Sequence, residues 1–140
     1  MRAVNRRIFT LIFIGVVSLF STASHSTEQD DATAAAKAII AAFAEKKFGL
    51  IWDTLASDRY KLNGTRELFI AAFTHERRRI GRLTSSTVLD VIYRAPQPDA
   101  GINGKYYSVA FQNVYTTGTL IEYVVLFEEN GQFKMAGLSK

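Results

Sequence analysis

Cysteine is absent from these 140 residues. That excludes disulfides, thiolate metal sites, a cysteine nucleophile and a lipidated N-terminal cysteine. Histidine occurs only at His25 and His75, and no metal-binding spacing, glycine-rich phosphate loop or Ser/His/Asp triad is found. Excess charge is lacking as well. The formal net charge is +4, but Arg2, Arg6 and Arg7 lie in the first 26 residues, which carry no acid. The remainder holds 14 basic and 13 acidic residues. A surface that close to neutral has no field to hold a phosphate polymer, so nucleic acid is not an expected partner. Apolar residues make up 48% and charged residues 21%, ordinary globular values that exclude a wholly disordered or fibrous chain. Length and composition fit a single domain without repeats.

What is present begins with an address. Met1 to Arg7 is basic, Ile8 to Phe20 is a 13-residue run without charge, and Ser21 to Ser26 contains small residues. This is the order of a cleaved signal peptide. The apolar run is short for a span, since it reaches only ~20 Å against a ~30 Å hydrocarbon core. Ser21/Ala23, Thr22/Ser24 and Ser24/Ser26 all offer the small side chains that signal peptidase needs. We expect residues 1–26 to be removed, leaving one domain over 27–140 in a bacterial periplasm or secreted. A cysteine-free chain suits that compartment.

The expected domain is α+β. From Asp31 an alanine-rich run places Ala36, Ile39, Ile40 and Phe43 at helical spacing, and Gly49 follows as a bend. Phe48, Ile51, Trp52 and Leu55 mark a short second helix ending near Ser57. Thr65 caps a third helix from about Arg66 to Ile80, closed by Gly81. After Leu83 the period falls towards two. Strands are expected near Thr87 to Arg94, Lys105 to Tyr115, Thr119 to Glu128 and Gln132 to Leu138. Pro96, Pro98 and Gly101 make the first loop, and Asn130-Gly131 makes the last hairpin. Helices first and an antiparallel meander second is the α+β plan.

Particular residues in this order resemble a bacterial exported family, domain of unknown function 4019, over about Ala34 to Lys140. They are Trp52, the Arg77 to Gly81 spacing, the PQPDAGINGKYY loop, Glu122 opening a strand, and the NGQFKMAGLSK ending. Phe133 and Leu138 stand where the family usually has tryptophan and tyrosine, and Ser86 where it usually has arginine. The resemblance implies a nuclear-transport-factor-2-like (cystatin-like) fold, a cone of helices on a curved sheet with a pocket at its wide end. It implies no reaction and no cofactor.

Six residues are pocket candidates: Trp52, Glu76, Arg77, Asp90, Tyr107 and Glu122. At about 100° per residue, Glu76 falls inside the Phe69–Phe73–Ile80 stripe of the third helix and Arg77 lies on its edge. A carboxylate there needs a partner, water or an outward turn. Glu122 shares a strand face with Leu120, Val124 and Leu126, and a helix across the sheet would bring Arg77 to it. A structural ion pair is the plainer reading, and a polar pocket lining the sharper one. Asp90 interrupts the first strand, where a carboxylate in the cone interior would serve as general base with Tyr107, Tyr115 or Tyr123 stabilising an oxyanion. His75, beside Arg78 and Arg79 on the polar face, marks no metal site. The Glu76 to Arg79 charge run reads as a solvated helix face.

These residues lead to an expected non-catalytic binding or interaction module for an unknown small molecule or protein. The alternatives are a small lyase, isomerase or hydrolase with a carboxylate base in the cone, and a structural homodimer through the outer sheet face. Trp52 is expected to be buried where the second helix meets the sheet. A closed core would argue against the cone pocket and the enzyme together, and an exposed apolar outer sheet would argue for the dimer.

Overall fold

The computed structural model describes residues 21–101 and 103–140, with side chains described from Thr27 onward. The basic and apolar address lies outside the described residues. So do the side chains around its expected cleavage sites.

The first helix, α1 (Ser21–Ala44), starts well before Asp31, where the alanine-rich run pointed. The polar stretch ahead of that run is a helix turn anchored to the body. Glu28 pairs with Lys105, and the Thr33 hydroxyl donates back to the Gln29 carbonyl at 2.7 Å. Ala32, Ala36, Ile39, Ile40 and Phe43 are all buried, which is the 3.6-residue stripe facing the sheet. The bend after α1 belongs to Lys46, not Gly49. Lys46 takes the left-handed conformation at φ 57°, while the Lys47 and Lys46 N–H groups bond the carbonyls of Ala42 and Phe43. This is the helix-closing arrangement usually given to glycine. Gly49 is small for another reason: a Cβ there would stand 2.6 Å from the Arg66 guanidinium.

The expected second helix is two pieces. α2 (Phe48–Leu50) runs into a π turn, Ile51–Leu55, in which the Ala56 N–H reaches the Ile51 carbonyl at 2.7 Å. Ala56 then forms a parallel bridge with Met135, and the Ser57 N–H bonds the Met135 carbonyl at 2.9 Å. A helical turn absent from the sequence reading, α3 (Asp58–Lys61), follows, with the buried Ser57 hydroxyl accepting the Tyr60 N–H. Thr65 caps α4 (Arg66–Arg77) as its sequence position suggested, accepting the Leu68 N–H. The helix stops at Arg77, three residues short of Ile80.

Four strands form one antiparallel meander in the order β1-β2-β3-β4: β1 (Leu83–Arg94), β2 (Tyr106–Tyr115), β3 (Gly118–Glu129) and β4 (Gln132–Ser139). β1 begins at Leu83 rather than Thr87 and carries two irregularities, at Leu83/Ser85 and at Val88/Asp90. Asn130 and Gly131 have φ of 51° and 74°, as a two-residue hairpin turn with the twist of its strands requires. α1 lies across all four strands. The core joins its apolar stripe to Tyr107, Val109, Phe111, Val124, Leu126 and Met135 from the sheet. The chain is α+β, with its helices ahead of the sheet.

Candidate functional site

Cross-strand partners share a sheet face. The pairs Phe111↔Glu122 and Asn113↔Leu120 therefore put Glu122 and Asn113 on the face that α1 covers, with Tyr115 two residues further along β2. Glu122 and Asn113 are fully buried, and Arg77, the last residue of α4, is 3% exposed. The Arg77 Nη2 donates to Glu122 Oε1 at 2.5 Å and its Nη1 to the Tyr115 hydroxyl at 3.0 Å. Asn113 Nδ2 and the Tyr115 hydroxyl donate to Glu122 Oε2 at 2.7 and 2.6 Å. Ser86 extends the chain, its hydroxyl donating to Asn113 Oδ1 at 2.5 Å. The guanidinium also sits 5.0 Å over the Phe43 ring, within cation–π range.

Burial alone would push the Glu122 carboxyl up. The hydrogen bonds from Tyr115 and Asn113 and the Arg77 charge overcome it and hold the group below its ordinary value. The same burial, with the hydrogen bond to Glu122, pushes the Tyr115 phenol up to about 12. Glu122 is thus a paired carboxylate and Tyr115 a neutral donor across the whole working range. The opening that reaches Arg77 and Tyr115, between Phe43, Ala44, Lys46, Ile80 and Gly81, holds about 10 Å³. That admits at most one water. Arg77 Nε, which has no protein partner, is the group that such a water would serve. No organic substrate fits.

The other candidates are dispersed. Glu76 does not enter the apolar stripe; it is exposed and pairs with Lys140 at 2.5 Å. The reason is which side of α4 is covered. The face it buries runs through Phe69, Phe73 and Arg77 with Ile70 beside them, and Glu76 lies on the opposite flank with the exposed Ala72 and Leu68. Asp90 is exposed at the β1 irregularity, its carboxylate accepting the Val91 N–H at 2.8 Å. It pairs with Ala110 on the face of the sheet turned away from α1, and a role as interior base is removed. Tyr107 is a core residue, its ring against those of Tyr93 and Phe133, and burial raises its phenol. Among the described residues no cluster of three His, Cys, Asp or Glu could hold a metal.

Trp52 has a different setting from the expected one. It is half-buried, and the rings it meets belong to α3 and α4, not to the sheet: Tyr60 at 6.4 Å and Phe69 at 5.4 Å between centroids. Trp52 is the second residue of the π turn Ile51–Leu55. Such insertions recur at functional sites. Trp52, Tyr60, Phe69, Phe73 and Leu68 wall a half-open cleft of about 200 Å³, with Asn63, Gly64 and Thr65 at its rim. The sequence marked Trp52 and Phe69 by their stripes. Tyr60 and Leu68 escape as cleft walls because the spacing does not reveal α3, and because a leucine next to Phe69 reads as part of a buried stripe although it is 65% exposed. Asn113 also escaped, although a polar residue between Phe111 and Tyr115 on an apolar strand face was its signal.

A model of the family described as protein of unknown function (DUF4019) matches residues 35–138. The chain belongs to that family. The comparisons give no match to a curated protein and none to a solved structure. The DUF4019 stretch takes in the cleft, all of the Ser86–Asn113–Glu122–Tyr115–Arg77 network and the sheet up to Leu138. Lys140, the partner of Glu76, lies beyond it.

Proposed function

We propose that this protein is an exported, non-catalytic binding module whose ligand site is the Trp52 cleft. The observation that carries the reading is the cleft itself: four aromatic rings around an open volume of about 200 Å³. A cavity of ~150 Å³ lined by apolar side chains takes benzene, so the cleft suits one aromatic ring or a short acyl group. Its polar rim at Asn63 and Thr65 would orient a single hydroxyl or amide.

Catalysis is disfavoured by the same geometry. The carboxylate that is buried is sealed and ion-paired, and the one on β1 is in water. Helices covering one face of a sheet with strand irregularities support a nuclear-transport-factor-2-like architecture. On that architecture the Arg77–Glu122 network would occupy the wide-end pocket and leave the ligand site to the helical side. Export to the periplasm is supported by the basic, apolar and small-residue order of the first 26 residues.

The test is to express the chain from Met1, purify it as the cell processes it, and examine it by native mass spectrometry. We expect an N-terminus between Ser24 and Thr27 and a non-covalent adduct carrying a ring or short acyl chain. Leu68→Glu puts a charge into the cleft wall at an already exposed position, and should empty it. A bare wild-type protein, or an adduct that survives Leu68→Glu, counts against the reading.

A further inference from the structure

We propose that the outer face of the sheet, turned away from the helices, is the interface of a homodimer. Ile92 of β1 and Ile121 and Tyr123 of β3 lie on this face and are 41%, 37% and 40% exposed, and Leu89 at the β1 irregularity is 52% exposed. They surround a low centre. Ala110, Ser108 and Gly137 pair with Tyr123, Val125 and Val125 respectively across the strands. Ridges of large apolar side chains beside a trough of small ones form a surface that can receive its own copy. A two-fold interface uses the same patch twice, so ridge meets trough on both sides of the axis.

Size and charge agree on a second copy as the occupant. Strands of 8 to 12 residues, at ~3.3 Å per residue and ~4.8 Å between strands, project roughly 650 Å². A corrugated surface buries more than its projection, which brings each side near the ~800 Å² per partner of a stable complex. The centre of the face has no charge, as interface cores require. Lys134 donates to the Thr54 carbonyl at 2.6 Å, and Glu129 accepts the Asp58 N–H at 3.1 Å, so both are tied down beyond the β4 edge. The charges left are Asp90 and Arg94, of opposite sign on one edge strand. A charged partner would find no field to follow, whereas a two-fold that sets one copy's Asp90 against the other copy's Arg94 makes that contact twice. At the far end the loop closes the face: Gly104 lies so close to the Phe127 ring that a Cβ would stand 2.1 Å from it. The cleft is on the helical side, so a dimer built this way leaves both clefts open.

Sedimentation equilibrium of the chain, expressed from Met1 and purified as processed, decides this. We expect twice the monomer mass with a Kd in the micromolar range or below, and Ile121→Lys should weaken it at least tenfold, about 1.4 kcal/mol. Circular dichroism and the melting midpoint at dilute concentration show whether that variant folds. Asp90→Arg is the second variant, solvent-exposed and therefore safe for folding. It should weaken association by repelling Arg94, and Asp90→Arg with Arg94→Asp should restore it. A wild-type chain that stays monomeric up to ~100 µM overturns the proposal. So does a dimer that both variants leave unchanged, which would place the interface on another face.

Discussion

The Glu122 carboxylate is buried without becoming a reactive group, because three neighbours, Arg77, Asn113 and Tyr115, share the cost. Removing one partner from a buried pair leaves an uncompensated charge, so Arg77→Ala or Glu122→Ala should each cost ~3–5 kcal/mol in urea titrations. The double variant should cost clearly less than the sum. Additive losses would mean that the two side chains do not work as a unit. Titration gives a second check. The Glu122 pKa is held low, so its contribution is complete above the unfolded carboxylate value of ~4.3 and fades as pH falls through the folded value. Tyr115, with its pKa pushed up to about 12, acts in the opposite sense. Its neutral form is favoured in the folded chain, so stability holds below pH ~10 and drops by ~2–3 kcal/mol towards pH ~12. Urea stability measured across that range should fall more steeply for the wild type than for Tyr115→Phe. Equal slopes would remove Tyr115 from the network. Of this cluster, Arg77 and Glu122 were legible in the sequence, because a charge on an apolar stripe demands a partner. Glu76 satisfied the same pattern and failed, because the buried face of α4 is turned towards Ile70 and Arg77, which leaves the Leu68–Ala72–Glu76 flank in water. Asp90 faces outward because the irregularity between Val88 and Asp90 breaks the alternation that would otherwise put it on the face of Val88.

At the scale of elements, the period-two strands and the Asn130-Gly131 turn were readable because local chemistry dictates them. The π turn was not. It exists because Ala56 and Ser57 must reach the Met135 backbone, a contact 78 or more residues away in sequence. That tertiary demand is invisible to spacing. Ser57 holds the junction, with its N–H on Met135 and its hydroxyl capping α3. Ser57→Ala should therefore cost ~0.5–2 kcal/mol and, by loosening α3, dampen the contact between Tyr60 and Trp52. Thermal melts followed by near-ultraviolet dichroism would show both. An unchanged melting point would mean that α3 is held by packing alone. Trp52 is half-buried, so Trp52→Ala should fall below the ~3–5 kcal/mol of a core tryptophan.

For the whole molecule, charge, core and surface point the same way. The field is near neutral, and among the described residues the buried charges, Arg77 and Glu122, are sealed together, so recognition falls to apolar surface such as the cleft among the helices and the outer face of the sheet. Trp52 is the chain's one tryptophan and it forms the wall of the cleft, which makes its fluorescence a site-specific reporter. The most direct measurement is a titration of that fluorescence with benzyl alcohol, a single ring bearing one hydroxyl, in the wild type and in Leu68→Glu. A saturating change that the variant loses is the predicted result. A linear, unsaturated change of equal size in both proteins would contradict the cleft as a binding site.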